Sequence, residues 1–137
     1  MGTRSITHIH EMDKLGRSKV VCSFYRQYDG YPSGHGDDLA EWLKDKNLVN
    51  GKSPDFRDGI DHNRAGQIAI ELMHYLKSET SIEVIPTGSG REEFEYRVYF
   101  SDKFEIECKS SHSGKTHKES AEKFSGSDIE DLWCEND

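Results

Sequence analysis

The sequence predicts an α+β fold: an antiparallel sheet of about five strands with two main helices packed on one face. Three observations carry this reading. Apolar and polar residues alternate with period two through residues 5–10, 19–28, 94–100 and 104–108, and a short apolar run, Ile82 to Ile85, ends at Pro86. Apolar residues recur at helical spacing in residues 37–46 and 64–77. The resulting order, β-β-α-α-β-β-β, groups strands with strands and helices with helices, unlike the strict alternation of a parallel doubly wound sheet.

In the first strand Ile6, His8 and His10 share one side and Thr7 and Ile9 the other. The second strand, residues 19–28, places Val20, Cys22, Phe24, Arg26 and Tyr28 on one face and Val21, Ser23, Tyr25 and Gln27 on the other; Tyr28 reads as core. Arg26 interrupts an apolar face. A guanidinium buried there needs a carboxylate, a group of carbonyls or an anionic ligand beside it. Asp37 and Asp38 lie in the first turn of the next helix, where carboxylates suit the helix dipole. The longer helix carries Ala65, Ile68, Ala69, Leu72, Tyr75 and Leu76, with Asp61 or Asn63 as its cap. Residues 87–90 supply a turn, and the three residues 101–103 allow only a tight hairpin between the last two strands. Residues 1–109 are thus expected to form one domain and residues 110–137 a polar, partly ordered tail. A short helix there would start at Ser127, which has capping-box spacing to Glu130, and carry Ile129, Leu132 and Trp133.

Composition narrows the function classes. The chain has 137 residues, 26 acidic against 18 basic, and a net charge of -8. A field of that sign opposes general nucleic-acid binding. Cys22, Cys108 and Cys134 are odd in number and far apart, which reads as reduced thiols in a cytoplasmic protein. No apolar run reaches the length of a membrane span.

The segment Tyr25 to Gly36, Tyr-Arg-Gln-Tyr-Asp-Gly-Tyr-Pro-Ser-Gly-His-Gly, is not ordinary scaffold. It follows a strand and precedes a helix, so rigid elements fix the side chains of a loop, an arrangement that favours binding. The candidate ligand-binding residues are Arg4, Tyr25, Arg26, Gln27, Asp29, Tyr31, Ser33 and His35. A guanidinium and tyrosines with flat faces and hydroxyl tips suit a polar or anionic small ligand. Asp29 before Gly30 is a turn signal and either shapes the turn, pairs with Arg26, or does both. Gly34-His35-Gly36 ahead of a helix offers backbone N–H groups to an anion, although Asp37 and Asp38 occupy the same positive end. His8 and His10 are weak metal candidates, because His-x-His lacks a third ligand at fixed spacing and 7 histidines produce such pairs by chance. No catalytic triad or paired-carboxylate site is recognisable; His35 and Asp29 are the best acid/base candidates.

Met1-Gly2-Thr3-Arg4-Ser5 together with Tyr25–Gly36 resembles a family of small uncharacterised proteins of bacteriophages and bacteria. The likeness covers the first third of the chain and implies a viral or mobile origin and a cytoplasmic setting in the host cell. The expected function is a non-enzymatic, phage-type binding protein without a cofactor. It holds a nucleotide-like ligand, such as an immune signal sequestered by an anti-defence protein. The alternatives are an acidic inhibitor that covers a host protein and a metal-assisted hydrolase using His8, His10 and His35. A homo-oligomer is left open.

Overall fold

The computed structural model describes residues 3–12, 15–44, 46–48, 61–62, 65–86, 92–100 and 104–135. Its elements are β1 (Ser5–Met12), β2 (Ser18–Arg26), a π-helical turn (Pro32–Gly36), α1 (Asp37–Leu43), β3 (Asn47–Leu48), β4 (Asp61–His62), α2 (Ala65–Glu79), β5 (Ile82–Ile85), β6 (Phe94–Phe100), β7 (Phe104–Ser110), β8 (Thr116–Ser120) and α3 (Gly126–Glu135). The side-chain cap of α2, the turn at 87–90 and the connection at 101–103 lie outside the described residues.

The protein is α+β, as the pattern of the sequence indicates, but the main sheet has six strands in the order β5-β2-β1-β6-β7-β8 and is mixed. The pair β1–β6 is parallel, with Ser5 opposite Phe94 and Glu11 opposite Phe100, and every other pair in that sheet is antiparallel. β3 and β4 form a separate two-residue parallel pair. The parallel pair brings together segments far apart in sequence, a neighbour choice that no turn signal encodes.

Alternation decides which side of each strand faces the helices. Ile9, Phe24, Tyr96, Val98, Phe100, Ile106 and Cys108 are fully buried with Leu39 and Leu43 of α1 and Ile68, Leu72 and Leu76 of α2. Removing one such aliphatic side chain from water stabilises by roughly 1.5–3 kcal/mol. The opposite face carries His8, His10, Ser23, Glu95, Arg97, Glu105 and Glu107 around the buried Ile6. A bulge between Ile9 and His10 shifts the register so that Val20 pairs with His10, whereas strict alternation would put Val20 beside Cys22.

Three sequence expectations change. β2 stops at Arg26, and Tyr28, expected in the core, is 52% exposed, because the chain leaves the sheet before the alternation could place it. The expected tail builds part of the domain: β8 pairs with β7, and Ala121, Phe124 and Ile129 join the core. Trp133 stacks on Phe94 with ring centroids 6.4 Å apart. Polar composition hid this segment, because an edge strand and a one-sided helix need only a few apolar positions. Finally, α3 begins one residue before Ser127. Ser125 Oγ accepts the Asp128 N–H at 3.4 Å, and Asp37 accepts the Gly126 N–H at 2.7 Å, so the cap comes from Ser125 and from another helix.

Because α3 shares the core, its unfolding is coupled to that of the sheet. The chain has 2 tryptophans. In a Trp42→Phe variant the fluorescence of Trp133 should change in the same urea transition as far-UV circular dichroism; an earlier fluorescence transition would show α3 to be an independent appendage.

Candidate functional site

Arg26 ends β2 opposite Ser5 and shares its face with Phe24, so the strand pleat drives the guanidinium inward, where its side chain is 5% exposed. It finds both kinds of partner its burial requires. Nε donates to the Tyr28 carbonyl at 2.6 Å, and Nη1 donates to Asp38 Oδ2 at 2.7 Å. The Asp38 side chain is 41% exposed, so one end of this ion pair meets water. Asp38, a residue of the first turn of α1, thereby locks the helix onto the end of β2.

His35 completes the arrangement. Its ring is fully buried, edge-on to Tyr96 at 4.9 Å and to Phe24 at 6.0 Å. An arginine can only donate, so the 3.1 Å contact from Arg26 Nη1 makes His35 Nδ1 an acceptor and places the ring proton on Nε2. Nε2 then donates to Thr7 Oγ1 at 2.6 Å. Burial first, and the Arg26 charge second, hold this imidazole well below its ordinary titration range. Both nitrogens are spent inside the protein, so His35 is a bracing residue with no free proton to exchange.

The rest of the loop is tied down around this core. The Gly30 N–H donates to the Thr3 carbonyl at 2.9 Å, and the Gly30 carbonyl accepts the Tyr96 hydroxyl at 2.6 Å. A Cβ on Gly30 would lie 2.8 Å from Ser5 Cβ, so this close approach requires glycine. Asp29 adopts a left-handed φ of 58°, and its carbonyl accepts the His35 N–H at 2.8 Å. The Gly34 N–H is likewise used by the Tyr31 carbonyl at 2.9 Å, so two of the donors of the expected anion cradle are already engaged. Asp29 shapes the turn and does not pair with Arg26; its carboxylate accepts the Tyr31 hydroxyl at 3.2 Å. Ser33 donates to Glu130 of α3 through Oγ at 2.9 Å and through its N–H at 3.2 Å.

The sequence candidates therefore separate into three places. Arg26 and His35 brace the loop from inside. Gln27, Asp29 and Tyr31 are exposed at its outer surface, with Tyr28 beside them and Ser33 partly covered. Tyr25, paired with Ile6, points to the opposite face of the sheet, near Arg4. Arg4 forms an ion pair with Glu93 at 3.1 Å, and this pairing pulls the Glu93 carboxyl below its usual range. Asp29 and then Glu130 surround Tyr31 with negative charge and raise its phenol above the ordinary value, Asp29 having the larger effect. Sequence reasoning missed Thr7, Asp38, Tyr96 and Glu130. Thr7 left a local trace as a polar residue on the same strand side as Ile9, and Asp38 as one of two carboxylates at the start of the helix that follows Arg26.

His8 and His10 lie across the sheet from His35, because Thr7, which meets His35, alternates with them. His8 Nδ1 is 2.7 Å from Ser23 Oγ, and Arg97 Nη1 donates to His10 Nε2 at 2.8 Å. Burial and then Arg97 lower both imidazoles, His10 to about 4. The three histidines of the hydrolase alternative do not converge. Among the described residues no trio of histidine, cysteine or carboxylate side chains is placed to hold a metal ion. Nor, among those residues, is any helix long and apolar enough to cross a membrane.

No protein-family model, curated protein or solved structure matches the chain. The class of protein is defined here by the fold and the site alone: an α+β domain whose inter-element loop is braced by a buried arginine–aspartate–histidine network.

Two outcomes test that geometry. Asp38→Ala strands the buried guanidinium and should lower the unfolding free energy by about 2–3 kcal/mol, less than loss of a partner from a fully enclosed pair. Urea denaturation measures it, and an unchanged midpoint would show the pair to be ornamental. Separately, His8, His10 and His35 all titrate below 6.5 in the folded protein. The unfolded chain takes up protons near that pH that the native state refuses. Stability should therefore be greatest above pH 6.5 and fall as the pH drops toward about 4. His10→Gln should flatten that slope.

Proposed function

We propose that this is a non-enzymatic binding protein whose braced loop takes a partner through an exposed lysine or arginine side chain. One observation carries the reading. Tyr31 is 36% exposed, its hydroxyl rests on Asp29, and Glu130 stands beside it through Ser33. A cation laid over that ring meets an aromatic face and carboxylates together, an arrangement that favours ammonium or guanidinium groups. The positive charges nearby are already matched, Arg26 by Asp38 and Arg4 by Glu93. The net charge of -8 adds long-range attraction for a basic partner.

A loop fixed from beneath loses little conformational freedom on binding, so exposed tyrosines on it make efficient contacts. Sequestration of His35 inside the protein supports a binding role over acid/base chemistry. The likeness of residues 1–5 and 25–36 to phage and bacterial proteins makes a host protein the partner in this reading and inhibition of that protein the role. A nucleotide-like anion has to displace Asp38 or Glu93 from its arginine, and it forms the competing arm of the test.

Calorimetry with arginine- and lysine-bearing peptides on one side and cyclic nucleotides on the other separates the two. Peptide binding should weaken with salt and fall about tenfold in Tyr31→Ala. Stoichiometric nucleotide binding that depends on Arg26, with no response to the peptides, would replace this reading with the small-ligand one.

A further inference from the structure

The face of the sheet away from the helices holds a polar network that the loop does not use. His10 of β1 is 6% exposed, and its ring stacks on Tyr99 of β6 with centroids 4.8 Å apart. Arg97 Nη1 donates to His10 Nε2 at 2.8 Å, and Nη2 of the same guanidinium pairs with Glu95 at 2.9 Å. Lys118 of β8 sits over the Tyr99 ring, 4.4 Å from its centroid, so the network reaches from β1 to the sheet edge. An arginine can only donate, which makes Nε2 of His10 the acceptor and puts the proton of the neutral ring on Nδ1. Among the described residues that buried Nδ1 has no hydrogen-bond partner. Arg97 is therefore the contact that selects this tautomer. His8 is arranged differently: its Nδ1 meets the Ser23 hydroxyl at 2.7 Å, and its Nε2 lies 4.0 Å from Glu95. A hydroxyl donates or accepts as required, so a proton added to His8 keeps both of its neighbours.

We propose that His10 and Arg97 form a proton-operated latch, in which acid releases the guanidinium from β1 while the protein stays folded. A proton from solvent has to enter at Nε2, because Nδ1 already holds one. Nε2–H then faces the Arg97 N–H, donor against donor and charge against like charge. The guanidinium cannot give up its own proton, so it moves. Its side chain is 34% exposed, Glu95 already holds one arm, and Glu107 lies opposite it on β7, so it has carboxylates to turn to without opening the core. The ionisable groups that face His10 are His8 on its own strand, Arg97, Glu95 and Tyr99 on β6, Glu105 and Glu107 on β7 and Lys118 on β8, while β2 places the apolar Val20 beside it. Burial first, then Arg97, then His8 disfavour the imidazolium against the pull of Glu95, which puts the release near pH 4. Tyr99 loses its stacking partner in the same step and carries Lys118 with it. The change is thus transmitted across the polar face to β8, while Val98 and Ile106 stay sealed on the other face.

Nuclear magnetic resonance of the full chain with nitrogen-labelled histidine and arginine tests the latch. At neutral pH the His10 ring should show the signature of a proton on Nδ1. As the pH falls, the Arg97 side-chain N–H signals should shift with the midpoint of His10, while the amides of Val98 and Ile106 keep their native positions. Arg97→Met removes the competitor and should raise the proton affinity of His10 about tenfold or more. His10→Gln keeps an acceptor for Arg97 and should abolish the acid response of its signals, whereas His8→Gln should leave that response in place. A proton on Nε2 at neutral pH, Arg97 signals that ignore the His10 midpoint, loss of the native spectrum before His10 titrates, an Arg97 response that persists in His10→Gln, or an unchanged His10 midpoint in Arg97→Met would each overturn the proposal.

Discussion

A charge placed where hydrocarbon belongs governs this structure. Strand alternation carries Arg26 to the helix side of the sheet, and a guanidinium cannot lose its proton to escape the cost of burial. The chain answers with Asp38 from the following helix, the carbonyl of Tyr28 and a neutral imidazole nitrogen of His35. Each contact reaches a different point of the same short segment. One ion pair therefore fixes how far the chain travels after β2, where α1 begins and how the intervening loop is folded. Thr7 extends the network to β1, so the loop is anchored on two adjacent strands and a helix.

The sheet separates two chemistries that a linear reading places side by side. On the helix face, His35 stands among Phe24, Tyr96 and Arg26, sealed and neutral. On the other, His8 and His10 sit beneath Arg97 and Tyr99, also held neutral by burial. Histidines on both sides of one strand cannot form a single centre. What remains for solvent at the loop is a surface of tyrosine rings and carboxylates, backed by α3 through the Ser33–Glu130 contact. The same helix receives the carboxylate of Asp37 at its first N–H, so neighbouring aspartates of α1 perform opposite tasks. Asp38 holds the strand end, and Asp37 holds α3.

Much of this was legible in the chain. Alternation identified four strands of the main sheet and a short apolar run ending at a proline identified a fifth; helical spacing identified α1 and α2. The inward direction of Arg26 followed from the same alternation, as did the need for something negative beside it. The identity of that partner was not legible, since Asp37 and Asp38 are equally acidic and equally near the helix start. Glu130 was assigned to a local cap because its spacing from Ser127 fits one, and the structure gives it to Ser33 instead. Tyr28 looked like core only because the alternation continues on paper past the point where β2 leaves the sheet.

The sequence by itself determined the local periods, the break in an apolar face at Arg26 and the glycine-permitted turn that follows. These are properties of consecutive residues, set by pleat, helix pitch and sterics. Only the tertiary structure decided that β6 lies parallel beside β1, that the polar C-terminal stretch closes the domain, and that the buried cation is neutralised from within. Those outcomes depend on which distant surfaces meet. No spacing along the chain records that, because many pairings satisfy the same local pattern and the whole core selects among them.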